Sequence, residues 1–267
     1  MSMIEITGKT KLYGIVADPI LQVKTPQAVN AWMAKREVDG VLVPMHIPAA
    51  GLKALVEGLR GMVNLGGLVV TVPHKTTIIH LCDEVSPAAQ MVGAVNIIRR
   101  EHDGKLVGDI LDGKGFVTGL HRHGMEVKGK RVFLAGAGGA ANAIAFALCE
   151  SGVLELAVYN RTRAKVEDMF ARLAKVYPGV KMTVATASPK GYDLIVNATS
   201  LGMVETDPYP LAVEDIEASQ VVAEIIMRPA LTPLLAVAQE KGCKIQFGLP
   251  MLESQIDLMA EFMRIGQ

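Results

Sequence analysis

A glycine-rich turn between an apolar run and an alanine-rich helical pattern constrains this chain more than any other segment. Residues 132–148 read VFLAGAGGAANAIAFAL, so four apolar residues lead directly into Gly136, Gly138 and Gly139. That order lets the backbone approach a pyrophosphate closely while the first N–H groups of the helix point at it. The segment therefore predicts a dinucleotide-binding turn, although an ordinary tight turn would share its glycines.

The strand that follows adds a second signal. In a dinucleotide-binding fold, an Asp or Glu about 20 residues after the glycines usually holds the ribose 2′-hydroxyl of NAD. Here the run LAVY is followed by Asn160, Arg161, Thr162 and Arg163, with no carboxylate. Because an arginine at this point can pair with a 2′-phosphate, we predict NADP as the cofactor. A glycine turn followed by a solvated basic loop is the competing interpretation.

Composition excludes several classes of partner. The 267 residues carry 27 Lys and Arg against 27 Asp and Glu, so the net charge is zero and no general attraction to nucleic acid or anionic membrane is expected. No apolar run approaches the ~18 residues of a membrane helix. The first residues lack the apolar core of a signal peptide, and the three cysteines have no pair spacing. We therefore expect a cytoplasmic chain with reduced thiols.

Strand-like and helical patterns alternate along the whole chain and predict two α/β units. In the first unit, strand-like runs at 12–17, 40–47, 67–72 and 94–100 alternate with helical patterns at 26–36 and 49–60. The second unit has short runs rich in valine and isoleucine at 131–135, 156–160, 181–187, 193–199 and 221–226. Such runs are typical of parallel strands covered by helices on both faces.

Polar residues that follow strands are the candidates for chemistry, because ligands of α/β sheets bind at the carboxyl ends of the strands. Lys75 closes the segment TVPHK, Asn96 lies in an apolar strand-like run, and Asp112 precedes a glycine turn. A lysine beside an aspartate can serve an alcohol dehydrogenase, since lysine accepts the hydroxyl proton and its cation stabilises an alkoxide. On spacing alone, Lys75 as a surface lysine and Asp112 as a turn former remain alternatives.

The sequence contains no pattern typical of a metal site or of a hydrolase. The six histidines lack ligand spacing with Cys or Glu, and the chain contains neither a G-x-S-x-G elbow nor a P-loop. We predict no metal site.

Nine motifs in unbroken order resemble the shikimate dehydrogenase family over nearly the whole chain. They are DPI…KTP at 18–26, TVPHK at 71–75, GAVN at 93–96, GD..DG.G at 108–115, GAGGAA at 136–141, NRT at 160–162, NATSLGM at 197–203, P..TPLL at 229–235 and GLPML..Q at 248–255. The order makes the resemblance far more specific than any single motif.

The resemblance implies an N-terminal α/β substrate-binding domain at 1–112 and an NADP-binding Rossmann domain at 113–247, with a deep cleft between them. A final helix at 248–267 would return to the first domain. The implied reaction is the reversible oxidation of the C3 hydroxyl of shikimate to 3-dehydroshikimate, a step of aromatic amino acid biosynthesis. Lys75 and Asp112 would form the catalytic dyad, and the enzyme would be a monomer or a homodimer.

The resemblance also assigns binding residues by position in the motifs. The substrate would be bound by Gln22, Val23, Thr25, Thr71, Asn96 and Gln255. The cofactor would be bound by Gly136, Ala137, Gly138, Gly139, Ala140, Asn160, Arg161, Thr162, Lys165, Thr199 and Gly248. Among these, Arg161, Thr162 and Lys165 fall where the family holds the adenosine 2′-phosphate.

Departures from the family pattern make the substrate site less polar. Val23 replaces a serine that binds the substrate carboxylate, Thr25 keeps a hydroxyl, and the amide of Gln22 is a possible substitute donor. Further polar positions of the family are occupied by Val69, Ile110, Leu111 and Met227. One lost hydrogen bond to a charged group costs about 1.5–3 kcal/mol, or roughly tenfold to 100-fold in affinity.

These departures do not determine which substrate the chain acts on. We expect oxidation of shikimate with a raised KM. The alternatives are quinate or aminoshikimate, a substrate that lacks the carboxylate, and a sensor that binds NADP without turnover.

Overall fold

The computed structural model describes residues 5–267 and shows two compact units. One unit comprises residues 5–111 with Gln255–Gln267, and the other comprises Asp112–Ser254. Residues 1–4, which the first predicted domain includes, lie outside the described residues. No helix within residues 5–267 has the length and apolar character needed to cross a membrane.

The first unit is built on a six-stranded mixed sheet. Its strands are β1 Lys11–Ala17, β2 Gly40–His46, β3 Leu65–Val70, β4 Glu84–Val85, β5 Ile97–Arg100 and β6 Leu106–Asp109, in the order β2-β1-β3-β5-β6-β4. Its helices are α1 Thr25–Ala34, α2 Leu52–Arg60, α3 Lys75–Ile78 and α4 Pro87–Val92, with 3-10 turns at Ala49–Gly51 and Ile79–Leu81. Strands β1, β2 and β3 are parallel, whereas β5 runs antiparallel to both of its neighbours.

Parallel pairing in this unit brings three strand ends to one edge. Ala17 pairs with His46, and Val16 pairs with Val70, so β1, β2 and β3 finish side by side. The prediction of strands near 12–17, 40–47 and 67–72 is confirmed, with small shifts at the ends. Asn96 is a correction, because it lies immediately before β5 and not inside a strand.

The second unit is a parallel sheet with the strand order of a dinucleotide-binding fold. Its strands are β7 Arg131–Ala135, β8 Glu155–Tyr159, β9 Lys181–Val184, β10 Leu194–Asn197, β11 Val221–Glu224 and β12 Lys244–Gln246. Its helices are α5 Asp112–Arg122, α6 Gly139–Glu150, α7 Arg163–Leu173, α8 Pro233–Glu240 and the first part of α9 Leu249–Phe262, with a 3-10 turn at Val213–Asp215. The order β9-β8-β7-β10-β11-β12 corresponds to 3-2-1-4-5-6, which confirms the predicted Rossmann fold.

A close contact between α5 and α6 explains the glycine next to Asp112. A Cβ atom on Gly113 would lie 2.1 Å from the carbonyl oxygen of Ala143, so a larger residue would push the two helices apart. Asp112 is the first residue of α5 and is buried. A carboxylate at this end of a helix is stabilised by the helix dipole.

Candidate active site

In the first unit, Thr71 and Lys75 lie on the segment that leaves the carboxyl end of β3. The N–H of Thr71 donates to the Val16 carbonyl at 3.1 Å, and the N–H of Asp18 donates to the Val72 carbonyl at 3.1 Å. Lys75 begins α3, and its carbonyl accepts the N–H of Val95 at 2.9 Å. These bonds hold both predicted residues at the edge where β1, β2 and β3 end.

Asn96 connects this edge to the last helix. Its side-chain Nδ2 donates to Oε1 of Gln255 at 3.5 Å, and its Oδ1 accepts the N–H of Leu111 at 2.8 Å. Its backbone carbonyl accepts the N–H of Val70 at 2.7 Å. Asn96 and Gln255 are only 2% and 4% exposed. Two amides predicted to bind substrate are therefore brought together beside the end of β3.

The segment between β1 and α1 offers few polar groups. The amide Nε2 of Gln22 donates to the carbonyl of Pro19 at 2.6 Å, so this local bond uses one of the two N–H groups of the predicted substitute donor. Leu21 is 95% exposed, Val23 is half-buried, and Thr25 is buried at the start of α1. Thr25 is thus the residue of the predicted carboxylate site that keeps a side-chain hydroxyl.

The structure also shows a polar pair that sequence reasoning missed. Nε2 of His46, at the end of β2, lies 2.8 Å from Oδ1 of Asp18, which follows β1. Both side chains are partly exposed at the same edge as Thr71. The sequence contained a signal for this pair, because His46 lies at the end of the second strand-like run and Asp18 directly follows the first. Nearby, buried His74 bonds the Ile47 carbonyl through Nε2 at 2.8 Å, which gives it a structural role.

In the second unit, the glycine turn joins β7 to α6. Gly136 has a φ of +114°, and a Cβ atom there would lie 2.8 Å from the Ala198 carbonyl oxygen, so only glycine is readily accommodated. A Cβ atom on Gly138 or Gly139 would meet no atom within 4 Å. The first turn of α6 therefore faces open space, as phosphate binding requires. Ala137 is buried in this turn, and Ala140 is half-buried in α6.

The basic loop after β8 lies beside this turn, since β7 and β8 are paired and parallel. Nδ2 of Asn160 donates to the Thr162 carbonyl at 3.0 Å, which shapes the loop. Arg161, Thr162 and Lys165 are exposed. Within residues 5–267, Arg161 and Lys165 enter no ion pair, whereas Arg163 pairs with Glu167 at 2.8 Å. Two cations are therefore available for an anionic group of a ligand.

A buried carboxylate at the end of β11 is the second feature that sequence reasoning missed. Glu224 has no exposed surface. Its Oε2 accepts from Nδ2 of Asn197 at 2.9 Å and from Oγ1 of Thr232 at 3.1 Å. Its Oε1 accepts the N–H groups of Ile225 and Ile226 at 2.8 and 3.1 Å. Burial raises the pKa of Glu224, while these four donors act in the opposite direction. The run VVAEII contained the signal, a carboxylate within an apolar strand.

Thr199 and Gly248, both predicted to contact the cofactor, lie against the same group of residues. The N–H and the hydroxyl of Thr199 donate to Oδ1 of Asn197 at 3.0 and 2.7 Å. A Cβ atom on Gly248 would lie 2.3 Å from the carbonyl oxygen of Ile226. The ends of β10 and β11 and the start of α9 are thereby fixed relative to one another.

The residues of the second unit fit NADP. The turn at Gly138 is open, β8 ends without a carboxylate, and two cations that enter no ion pair within residues 5–267 follow it. Among residues 5–267 no group of His, Cys, Asp and Glu is arranged to hold a metal ion.

Comparison with known proteins matches two sequence families to this chain. The family described as "Shikimate dehydrogenase substrate binding domain" matches residues 15–98, and "Shikimate / quinate 5-dehydrogenase" matches residues 120–204. A shikimate dehydrogenase (NADP(+)) of Lysinibacillus sphaericus is 36% identical over 247 residues, which covers 92% of this chain and 89% of that protein.

Solved structures show the same fold. The shikimate 5-dehydrogenase of Thermus thermophilus, in complex with NADP(H) and shikimate, has a TM-score of 0.85 at 30% identity and covers 95% of this chain and 93% of its own. The ligand-free 5-ketofructose reductase of a Gluconobacter species also has a TM-score of 0.85 at 30% identity, with 96% and 93% covered.

Proposed function

Because the chain belongs to the shikimate dehydrogenase family, we propose that it oxidises the C3 hydroxyl of shikimate reversibly to 3-dehydroshikimate with NADP. The observation that supports this most strongly is the Asn96–Gln255 amide pair, buried at the strand edge that carries Lys75. Each of these two amides carries both an acceptor and donors, which suits a substrate with several ring hydroxyls. The ammonium of Lys75 belongs to the same edge.

The proton is handled by this chain's own residues. NADP, held by the turn from Gly136 to Ala140 and by the loop after β8, would supply the hydride acceptor for the carbinol carbon. Lys75 takes the proton of the hydroxyl as the C–O bond becomes a carbonyl, and its positive charge stabilises the alkoxide that develops on the way. In the reverse direction the same ammonium protonates the oxygen. Asp112, buried at the start of α5, is the second member of the proposed dyad.

Selectivity for NADP comes from the loop after β8. Arg161, Thr162 and Lys165 present two cations and a hydroxyl, and charge-assisted bonds to a phosphate are the strong ones. The turn from Gly136 to Ala140 receives the pyrophosphate.

The least polar part of the substrate site gives a direct test. Val23→Ser should lower KM for shikimate by about tenfold, because a hydrogen bond to a carboxylate is worth about 1.5–3 kcal/mol. Initial rates over a range of shikimate concentrations measure the change. Val23→Ala is the matched control, since it shortens the side chain without adding a donor. An unchanged or higher KM in the serine variant would show that the substrate carboxylate does not bind at residue 23.

A substrate without a carboxylate is the second candidate. The side chain of Val23 has no donor, one N–H of the Gln22 amide is bonded to Pro19, and the carboxylate of Asp18 lies at the same edge. The relative named 5-ketofructose reductase has the same fold at comparable identity, and 5-ketofructose is an uncharged sugar. NADPH-dependent reduction of 5-ketofructose with no oxidation of shikimate would favour this candidate. Quinate and aminoshikimate remain alternatives that keep the carboxylate.

A sensor without turnover is disfavoured by Lys75, since binding alone needs no proton acceptor.

We propose that the enzyme is cytoplasmic and is a monomer or a homodimer. The free thiols of Cys82, Cys149 and Cys243 support a reducing compartment.

A further inference from the structure

We propose that Glu224 is a positioning residue for the nicotinamide half of the cofactor site. It joins the loop after β10 to the loop after β11 and so holds Thr199 and Gly248 in place. The inference rests on the proposed function, because it requires that the second unit binds NADP.

The location of Glu224 within the sheet assigns it to that half. A dinucleotide-binding sheet consists of two mononucleotide-binding halves that meet at the first strand. Here β7 and β8 carry the glycine turn and the basic loop, which belong to the adenosine half. Strands β10 and β11 lie on the other side of β7. Glu224 ends β11, and the residue bonded to it, Asn197, ends β10.

The hydrogen bonds around Glu224 have a fixed direction. An ionised carboxylate only accepts, and each of its oxygens here receives two donors. Asn197 turns its Nδ2 toward Glu224 and toward the Leu201 carbonyl at 3.0 Å, which leaves its Oδ1 to accept both donors of Thr199. The Thr199 hydroxyl then accepts the N–H of Leu201 at 3.0 Å. The orientation of Thr199 follows, through Asn197, from the two acceptors of the Asn197 amide, which are Glu224 and the Leu201 carbonyl.

The same carboxylate shapes the second loop. Its bonds to the N–H groups of Ile225 and Ile226 turn the chain immediately after β11. The Ile226 carbonyl then lies where a Cβ atom on Gly248 would approach to 2.3 Å. Thr232, at the start of α8, closes this loop on Glu224. One buried side chain thus fixes the conformation of two loops and the position of the backbone at Gly248.

Glu224→Gln tests the proposal, because glutamine has nearly the same shape as glutamate. Its NH2 group is a donor, and it would face groups that are themselves donors. We expect the Kd for NADP to rise about tenfold, which is the effect of losing one hydrogen bond between the misplaced loops and the cofactor. The Kd for adenosine 2′,5′-bisphosphate, which occupies only the adenosine half, should stay within about twofold. Isothermal titration calorimetry measures both, and kcat should fall in the same variant.

The matched control is Glu155→Gln. Glu155 is also a buried carboxylate of this sheet, but it begins β8 and bonds Arg131 and Thr183, far along the strand from the cofactor edge. Its variant should lose thermal stability and keep the wild-type Kd for NADP. Glu224→Asp, which keeps the charge on a shorter side chain, should recover part of the NADP affinity and also serves if the glutamine variant does not fold.

Two results would overturn the proposal. Equal losses for NADP and for the adenosine fragment would show that Glu224 supports the unit as a whole. An unchanged Kd for NADP and an unchanged kcat, with only the melting temperature lowered, would make its role purely structural. Failure of the proposed function looks different, because the wild-type protein itself would then not bind NADP.

Discussion

Lys75→Ala is expected to lower kcat for shikimate oxidation by about 10²- to 10⁴-fold, the range that a positioned acid–base group contributes. The variant has no group to take the hydroxyl proton and no cation beside the developing alkoxide. The Kd for NADP should stay within about twofold of the wild-type value, because Lys75 belongs to the first unit and the cofactor residues belong to the second. Steady-state rates and calorimetry provide the two values.

Lys53→Ala is the control for the loss of a lysine. Lys53 is exposed on α2 in the same unit, so its removal should change neither kcat nor KM. If the Lys75→Ala variant oxidised shikimate at the wild-type rate, another group would take the proton. That result would contradict the proposed catalytic dyad.

Arg161→Ala is expected to raise KM for NADP by roughly tenfold to 100-fold, because one charge-assisted bond to a phosphate is worth about 1.5–3 kcal/mol. KM for NAD should hardly change, since NAD has no 2′-phosphate. The preference for NADP over NAD, measured as the ratio of kcat/KM values, should fall by the same factor. That ratio cancels any general effect on folding or on the active fraction.

Arg163→Ala is the matched control in the same loop. Arg163 is bonded to Glu167, whereas Arg161 enters no ion pair within the described part of the chain. The control variant should keep most of the preference for NADP. Equal losses in both variants would mean that the loop attracts the cofactor by its overall charge, without a specific contact from Arg161.

Local patterns predicted most of the fold. The run from Val132 to Leu148 contains a strand, a turn and a helix start in adjacent residues, so its pattern could be recognised without knowledge of distant contacts. The valine- and isoleucine-rich runs predicted buried parallel strands, and the second sheet confirms this. The prediction for Asn96 was wrong in one respect, since its run begins with residues that precede β5. Apolar character alone does not separate a strand from a buried segment leading into it.

The features that were missed depend on contacts between distant residues. Glu224 bonds Asn197, which precedes it by 27 residues, and Asp18 meets His46 across 28 residues. Parallel pairing creates both contacts, and the sequence does not state which strands are neighbours. Gln22 shows the opposite case, because its amide bonds Pro19 three residues away. A local carbonyl competes with a ligand for such a flexible amide, and residue type alone does not reveal the outcome.

The initial rate of NADPH formation with shikimate, compared with quinate and aminoshikimate and repeated with NAD, tests the central claim most directly. We predict turnover of shikimate with NADP at a higher rate than with either related acid, and a much lower rate with NAD. Background rates with shikimate, beside clear turnover of another of these acids, would contradict shikimate as the substrate. Background rates with all three acids would contradict the proposed activity itself.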